Sequence, residues 1–129
     1  MNNLLLDSHI LLWAVTDSPH LSKAAARLIQ TTPQVYASCL SLFELKIKDA
    51  AGALKLPSEF ERLAEQEGFT WLDLRPGQLH SYRIFRQQNT DPFDNALLTI
   101  AEAQRFRFLT ADSAILPLQT SYPWIINGG

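Results

Sequence analysis

Short apolar runs alternate with amphipathic stretches along the whole chain. Five runs have the length and the apolar content of buried strands, at residues 4–6, 35–38, 69–72, 106–110 and 124–126. Between them, apolar residues recur every three or four positions, as in helices with one buried face. Helices are predicted at about residues 9–15, 21–29, 41–51, 58–66, 75–87 and 91–104. This alternation favours an α/β fold, with a mainly parallel sheet of four to five strands and helices on both faces.

Length and composition fit one globular domain. With 129 residues, of which 47% are hydrophobic and 19% charged, the chain can bury a core, and we expect a single domain over residues 1–129. No apolar run reaches the roughly 18 residues of a membrane span, and the first residues lack the basic start of a signal peptide. We therefore expect a cytoplasmic protein with no membrane partner. Cys39 is the only cysteine, which excludes a disulfide, and we expect it to be buried.

The stretch Asp91-Pro92-Phe93-Asp94-Asn95 opens the longest apolar-periodic run of the chain. Asp91 suits the N-cap of a helix, and Pro92 suits the first helical position, where a missing N–H costs nothing. Asp94 then falls in the first turn. Capping and the helix dipole would by themselves explain both acids, so the site hypothesis depends on the rest of the chain.

Other acids follow predicted strands. Asp7 comes directly after the first strand, Asp112 follows the fourth, and Glu44 opens the helix after the second strand. In open α/β sheets, ligands bind beyond the carboxyl ends of the strands. Each acid also has a structural explanation: Asp7 could cap the next helix, and Glu44 could pair with Lys48 four residues later. For the acids to have no shared function, all of these separate structural explanations would have to be true at once.

Four carboxylates that share one pocket would repel each other unless a cation lies between them or some stay protonated. Mg²⁺ and Mn²⁺ prefer oxygen ligands, and Mg²⁺ is commonly shared with substrate phosphates. A metal ion also activates water for attack on a phosphodiester bond. The acids therefore indicate metal-dependent phosphodiester chemistry.

The chain resembles the PIN-domain ribonucleases, and within them the toxin half of VapBC toxin–antitoxin pairs. The resemblance covers nearly the whole chain and is carried by four segments: LLLDSHILLW, SCLSLFELKIKDAAGALKLP, DPFDNALLTIAEA and FLTAD. It implies a PIN-like three-layer α/β/α sandwich. It also implies an endoribonuclease toxin that depends on Mg²⁺ or Mn²⁺, usually dimerises, and is silenced by a cognate antitoxin protein.

Carried over by position, the resemblance assigns catalysis and metal binding to four acids, which are Asp7, Glu44, Asp94 and Asp112. Asp91 is then an accessory carboxylate, and Ser8 and Thr110 stand where the family often has a small hydroxyl residue. Two positions depart from the family pattern. Asn95 stands where many relatives have arginine, and Asn89 stands where many have histidine.

Basic residues are needed to hold the RNA backbone, since phosphate contacts position a nucleic acid without reading its sequence. The candidates are Lys46, Lys48, Arg83 and Arg86, although a solvated helix face also explains the arginines. The net charge of −2 argues against binding by bulk electrostatics. His9 and His20 lack metal-ligand spacing, so we expect surface histidines, and we expect Trp13 to pack against the scaffold.

Two alternatives stay open. A structure-specific DNA nuclease of similar fold would have the same acids, and a PIN-like scaffold could act only by binding a partner. A phosphotransfer receiver domain is disfavoured because no suitable lysine follows Asp94 or Asp112.

Overall fold

The computed structural model describes residues 3–129. Five strands form one sheet: β1 (Asn3–Leu6), β2 (Gln34–Ser38), β3 (Thr70–Leu72), β4 (Arg107–Thr110) and β5 (Ile125–Asn127). Six α-helices surround it: α1 (Ser8–Thr16), α2 (Lys23–Thr31), α3 (Cys39–Ala50), α4 (Phe60–Gln66), α5 (Tyr82–Arg86) and α6 (Pro92–Gln104). All neighbouring strands are parallel. No helix within residues 3–129 is long and apolar enough to cross a membrane.

Alternating strand residues divide the core into two apolar layers. Leu4 and Leu6 pack on one face of the sheet with residues of α1 to α4, whereas Leu5 packs on the other face with α5 and α6. All three leucines are fully buried. This period of two is the geometry of a strand buried on both faces. The predicted α/β/α sandwich with a parallel sheet is therefore confirmed.

The strand order β3-β2-β1-β4-β5 puts β1 in the centre of the sheet. From β1 the chain builds β2 and β3 on one side, and it then crosses over to build β4 and β5 on the other. The direction of winding thus reverses between β1 and β4. Ligands of open α/β sheets bind at such a switch point, beyond the carboxyl ends of the strands.

Polar residues cap the helices that surround this switch point. Asp7 caps α1, Ser38 caps α3 and Asp91 caps α6, each by accepting a backbone N–H bond with its side chain. Pro92 occupies the first turn of α6, as predicted. These caps satisfy N–H groups that lack partners within the helix, and they fix where each helix starts.

The segment after β3 differs from the prediction. The expected helix over residues 75–87 is divided into a 3₁₀ turn, Pro76–Leu79, and the short helix α5. Pro76 is tolerated in a first turn, but Gly77 weakens helical order, and the helix is interrupted at His80 and Ser81. The Gln78 side chain instead accepts a bond from the Arg75 N–H at 2.9 Å.

The starts of α3 and α4 also differ. Helix α3 begins at Cys39, so Glu44 lies in its second turn rather than its first, and Cys39 is half-buried rather than buried. The helix predicted from about residue 58 begins two residues later. Helix α4 begins after Glu59, which has a left-handed backbone (φ 57°), and the Glu61 carboxylate lies 2.8 Å from the Lys46 amine.

Candidate active site

Three aspartates converge at the switch point of the sheet. Asp7, Asp94 and Asp112 each offer one carboxylate oxygen, and these oxygens all lie within 4.8 Å of one another. Asp7 follows β1, Asp112 follows β4, and Asp94 lies in the first turn of α6. We call these residues the aspartate cluster. Three of the four acids predicted from the sequence are thus brought together.

Asp7 is held by two hydroxyl-bearing neighbours. Its side chain is 3% exposed and accepts hydrogen bonds from the Ser8 N–H at 2.7 Å and the Thr110 hydroxyl at 2.6 Å. Burial raises the pKa of Asp7 to about 6, against the opposing effect of these two bonds and with added repulsion from Glu44 and Asp112. Ser8 and Thr110 therefore orient this carboxylate, in keeping with their predicted position beside the acids.

Asp94 is more strongly perturbed than Asp7. The pKa of Asp94 is raised to about 8. Burial is the largest cause, and the charges of Asp7, Asp91 and Asp112 contribute to the same rise. One hydrogen bond opposes it, since the Asn89 amide donates to the Asp94 carboxylate at 3.2 Å. Without a cation, the aspartate cluster therefore cannot carry its full negative charge at neutral pH.

Asp112 is fixed by a turn at the end of β4. Its N–H donates to the Thr110 hydroxyl at 3.1 Å, and its carboxylate accepts the Ala114 N–H at 2.8 Å. Thr110 thus contacts both Asp7 and the turn that carries Asp112, and it links two members of the aspartate cluster.

Glu44 lies outside the group of three. It is 5% exposed and accepts hydrogen bonds from the Ser8 hydroxyl at 2.5 Å and the Lys48 amine at 2.9 Å. Burial lowers the pKa of Lys48, but the hydrogen bond and charge of Glu44, with Asp91 and Asp94 farther out, outweigh that effect and raise it. The predicted pair of Glu44 with Lys48 is confirmed, and this acid has its cation within the protein.

Two asparagines hold the loop before α6 against Asp94. Asn95 is fully buried, and its amide donates to the Asn89 carbonyl at 2.7 Å. The Asn95 side-chain oxygen has no hydrogen-bond partner within residues 3–129. The Asp91 carboxylate accepts the N–H groups of Phe93 and Asp94 at 2.9 and 3.0 Å. The two positions that depart from the family pattern therefore support the loop and Asp94 directly.

The predicted basic residues are not gathered at the acids. Lys48 alone approaches them, through Glu44. Lys46 pairs with Glu61 on the side of α4. Arg83 and Arg86 are exposed in the last turn of α5, and no ion pair joins either to another residue of the described part of the chain.

A cavity of about 320 Å³ opens beside the aspartate cluster. Its lining residues are Asp7, His9, Trp13, Ala111, Asp112 and Ser113. Two acids of the cluster therefore share the cavity with His9, which was expected at the surface, and with Trp13, which was expected to pack against the scaffold. The spacing of His9 and Trp13 could have indicated that they lie together beside Asp7. They are four residues apart on the helix that Asp7 caps, and side chains at that spacing share a face.

Comparisons with known proteins agree with this architecture. The fold is similar to a toxin–antitoxin complex from Klebsiella pneumoniae, with 16% identity, 95% of each chain covered and a TM-score of 0.64. It is also similar to VapBC2 from Rickettsia felis bound to a DNA fragment from their promoter, with 14% identity, 97% of this chain and 96% of that chain covered, and a TM-score of 0.62. Identities this low establish the fold alone. No curated protein matches the sequence. The PIN domain family model matches residues 4–117, and the chain therefore belongs to the PIN domain family.

Proposed function

We propose that this protein is a metal-dependent endoribonuclease that acts as the toxin of a toxin–antitoxin pair. The observation that carries the proposal is the aspartate cluster, whose oxygens lie within 4.8 Å of one another. Burying like charges this closely is unfavourable unless a cation offsets them. Membership of the PIN domain family supports a nuclease.

The donor set suits Mg²⁺ or Mn²⁺. All three side chains offer carboxylate oxygens, which hard divalent cations prefer, and the described residues place no thiolate or imidazole nitrogen in the cluster. When bound, the ion would lower the pKa of a water molecule and offset charge on the phosphate oxygens.

We assign distinct roles to the residues around the ion. Asp7, Asp94 and Asp112 hold it, and the backbone N–H of Ser8 and the hydroxyl of Thr110 keep Asp7 in position. Glu44 stays the fourth acid of the site, and it holds Lys48 within reach of a substrate phosphate. Lys46, Arg83 and Arg86 contribute more distant positive charge along the path of the RNA.

The toxin role rests on likeness to structures of toxin–antitoxin complexes. It implies a cognate antitoxin as partner, with a homodimer of the toxin in the cytoplasm. We also propose one domain for residues 1–129, which the single sheet supports because its strands run from Asn3 to Asn127. A DNA nuclease is the second candidate, since the acids suit either phosphodiester.

Cleavage assays test the enzymatic part of the proposal. Purified protein is mixed with labelled single-stranded RNA, single-stranded DNA or branched DNA, in Mn²⁺ or in chelator. We expect Mn²⁺-dependent internal cleavage of RNA, and a loss of more than about 100-fold with Asp112→Asn, because the charge of a ligand is removed. Asp17→Asn is the matched control, since Asp17 is exposed in a left-handed C-cap that asparagine accommodates. Cleavage of DNA alone, or equal activity of both variants, would refute the proposal.

Growth assays test the toxin part. Expression of the protein alone should arrest growth of a bacterial host, and Asp7→Asn should abolish the arrest. Coexpression of a small protein encoded beside the gene should also restore growth. Equal toxicity of wild type and Asp7→Asn would show that toxicity does not depend on the aspartate cluster.

A further inference from the structure

The cavity beside the aspartate cluster has one acidic wall and one aromatic wall. Asp7 and Asp112 contribute the acidic wall, and His9 and Trp13 contribute the aromatic wall. The cavity thus adjoins the carboxylates that the proposed function assigns to phosphodiester hydrolysis, and a nucleotide bound there would present an aromatic base as well as a phosphate.

The aromatic wall is built into α1. His9 and Trp13 lie four residues apart, and their ring centroids are separated by 6.2 Å with the ring planes at 51°. His20 also packs against the indole, with its centroid 5.4 Å from that of Trp13. Trp13 is half-buried and packs against the apolar core, whereas His9 is exposed. The indole is therefore held by the core while part of it faces the cavity.

We propose that this cavity binds the nucleobase of a nucleotide next to the cleaved phosphodiester, by stacking on Trp13 and His9. This inference rests on the proposed function and adds a base-binding subsite to it. Every base has a π-face, so stacking on aromatic side chains is a common way to hold single-stranded nucleic acid. The volume of about 320 Å³ lies at the low end of ligand pockets, which span roughly 300–1,000 Å³, and suits one ring system.

The two walls contact different parts of one nucleotide: the aromatic wall contacts the base, and the acidic wall lies beside the phosphate. The acidic wall repels phosphate in the absence of a cation, so affinity for RNA should depend on the base and on the ion together. Stacking is tolerant of base identity, because it uses the ring face rather than the hydrogen-bonding edge. The subsite therefore positions the strand and prefers unpaired RNA over duplex RNA.

Variants of Trp13 separate stacking from packing. Trp13→Phe keeps an aromatic face, whereas Trp13→Leu keeps an apolar side chain without one. With a single-stranded RNA oligonucleotide in Mn²⁺, we expect Trp13→Leu to raise KM by about 5- to 150-fold, the range for loss of one stacked base, while kcat changes less. Trp13→Phe should stay close to wild type. His9→Leu, at an exposed position that does not endanger folding, should raise KM in the same direction, and His80→Leu is its exposed control.

Abasic substrates identify the partner of Trp13. A set of oligonucleotides in which each nucleotide in turn lacks its base is cleaved by wild type and by Trp13→Leu. Removing one particular base should raise KM for wild type and have little effect on Trp13→Leu, because the same contact is already lost. Thermal melts confirm that each variant is folded.

Three outcomes would overturn the inference. The first is equal KM for Trp13→Phe, Trp13→Leu and wild type. The second is an abasic penalty that is as large in Trp13→Leu as in wild type. The third is the absence of RNA cleavage by wild type in Mn²⁺, which would overturn the proposed function and the subsite with it. Normal wild-type cleavage combined with either of the first two outcomes removes the subsite and leaves the proposed function intact.

Discussion

Glu44 and the aspartate cluster are neighbouring acidic regions with opposite solutions to the burial of charge. Glu44 is as buried as Asp94, yet Lys48 lies 2.9 Å from its carboxylate and Ser8 donates a second bond. In the cluster, Asp94 faces Asp7, Asp91 and Asp112, and its one opposing contact is the neutral amide of Asn89. Lys48 thus pairs with Glu44, whereas no lysine or arginine within residues 3–129 forms an ion pair with the aspartate cluster.

This difference supports the proposed position of the metal ion. Glu44 has a lysine of the protein beside it, whereas the pKa values of Asp7 and Asp94 rise to about 6 and about 8. Four acids lie close together, so their number does not explain the difference. It depends on which of them face a cation of the protein, and the pair of Glu44 with Lys48 follows from their spacing of four residues.

The largest expected effect is on the pH dependence of the metal-free protein. The pKa of Asp7 is raised from 3.8 to about 6, so folding favours its protonated form. Its favourable contribution is therefore present near pH 4 and is lost as pH rises through about 6. That loss is of the order of 3 kcal/mol for Asp7 alone, and Asp94 adds a loss that extends to about pH 8.

Urea unfolding in chelator between pH 4 and pH 8 measures this effect. Asp7→Asn should lose less stability over this range than wild type, because asparagine does not titrate. Superimposable profiles of the two proteins would mean that burial of Asp7 is not costly, and the contrast with Glu44 would disappear.

The next effect concerns Asn89, which we expect to act on the proposed ion through Asp94. Asn89→Ala removes the amide that orients the Asp94 carboxylate at 3.2 Å, and we expect Mn²⁺ affinity to fall by about 10- to 100-fold. Asn89→His should restore part of the affinity, because a ring N–H can also donate. Exposed Gln87→Ala is the control. Calorimetric titration that gives the same affinity for Asn89→Ala and Gln87→Ala would restrict Asn89 to a role in the loop.

A smaller effect separates capping from charge at Asp91. Asp91→Ala removes the acceptor for two N–H groups and should cost about 1 kcal/mol in the free energy of unfolding, with or without Mn²⁺. Asp91→Asn keeps an N-cap of similar strength and should cost little. Thermal melts with and without Mn²⁺ measure both. If Asp91→Ala were costly only in Mn²⁺, Asp91 would belong with the aspartate cluster.

The smallest effect on metal binding is expected at Lys48. Lys48→Met leaves the buried Glu44 carboxylate without a cation, so it should lower stability by more than the roughly 0.5 kcal/mol of an exposed pair of this spacing. Mn²⁺ affinity should rise, because Glu44 then lacks its cation. Unchanged or weaker Mn²⁺ binding by Lys48→Met would show that Glu44 does not act on the ion.

Local chemistry made most of the fold predictable. The apolar run Leu4–Leu6, the cap at Asp91 and Pro92 in the first turn of α6 each depend on neighbouring residues, and all lie where the sequence indicates. The prediction of one helix over residues 75–87 was wrong because Gly77 weakens helical order and the helix is interrupted at His80 and Ser81, where apolar spacing alone would continue it.

The positions of the acids in the candidate site could be predicted from the sequence, whereas many of the contacts between their side chains and other residues could not. Strand ends placed Asp7 and Asp112 at one edge of the sheet, because parallel strands bring their carboxyl ends together. Which side chains line the cavity depends on contacts between distant segments. The bond from Thr110 to Asp7 spans 103 residues, and no local pattern encodes it.

Metal-induced stabilisation tests the central claim most directly. Thermal and urea unfolding are measured for wild type and Asp94→Asn, each in chelator and in Mn²⁺. In chelator, Asp94→Asn should be as stable as wild type or more stable, because it relieves repulsion around a buried acid. In Mn²⁺ at a hundredfold excess over its dissociation constant, wild type should gain about 2.7 kcal/mol and Asp94→Asn much less. Equal gains in the two proteins, or a loss of about 1 kcal/mol in Asp94→Asn with and without metal, would contradict the account and leave Asp94 as a first-turn acid of α6.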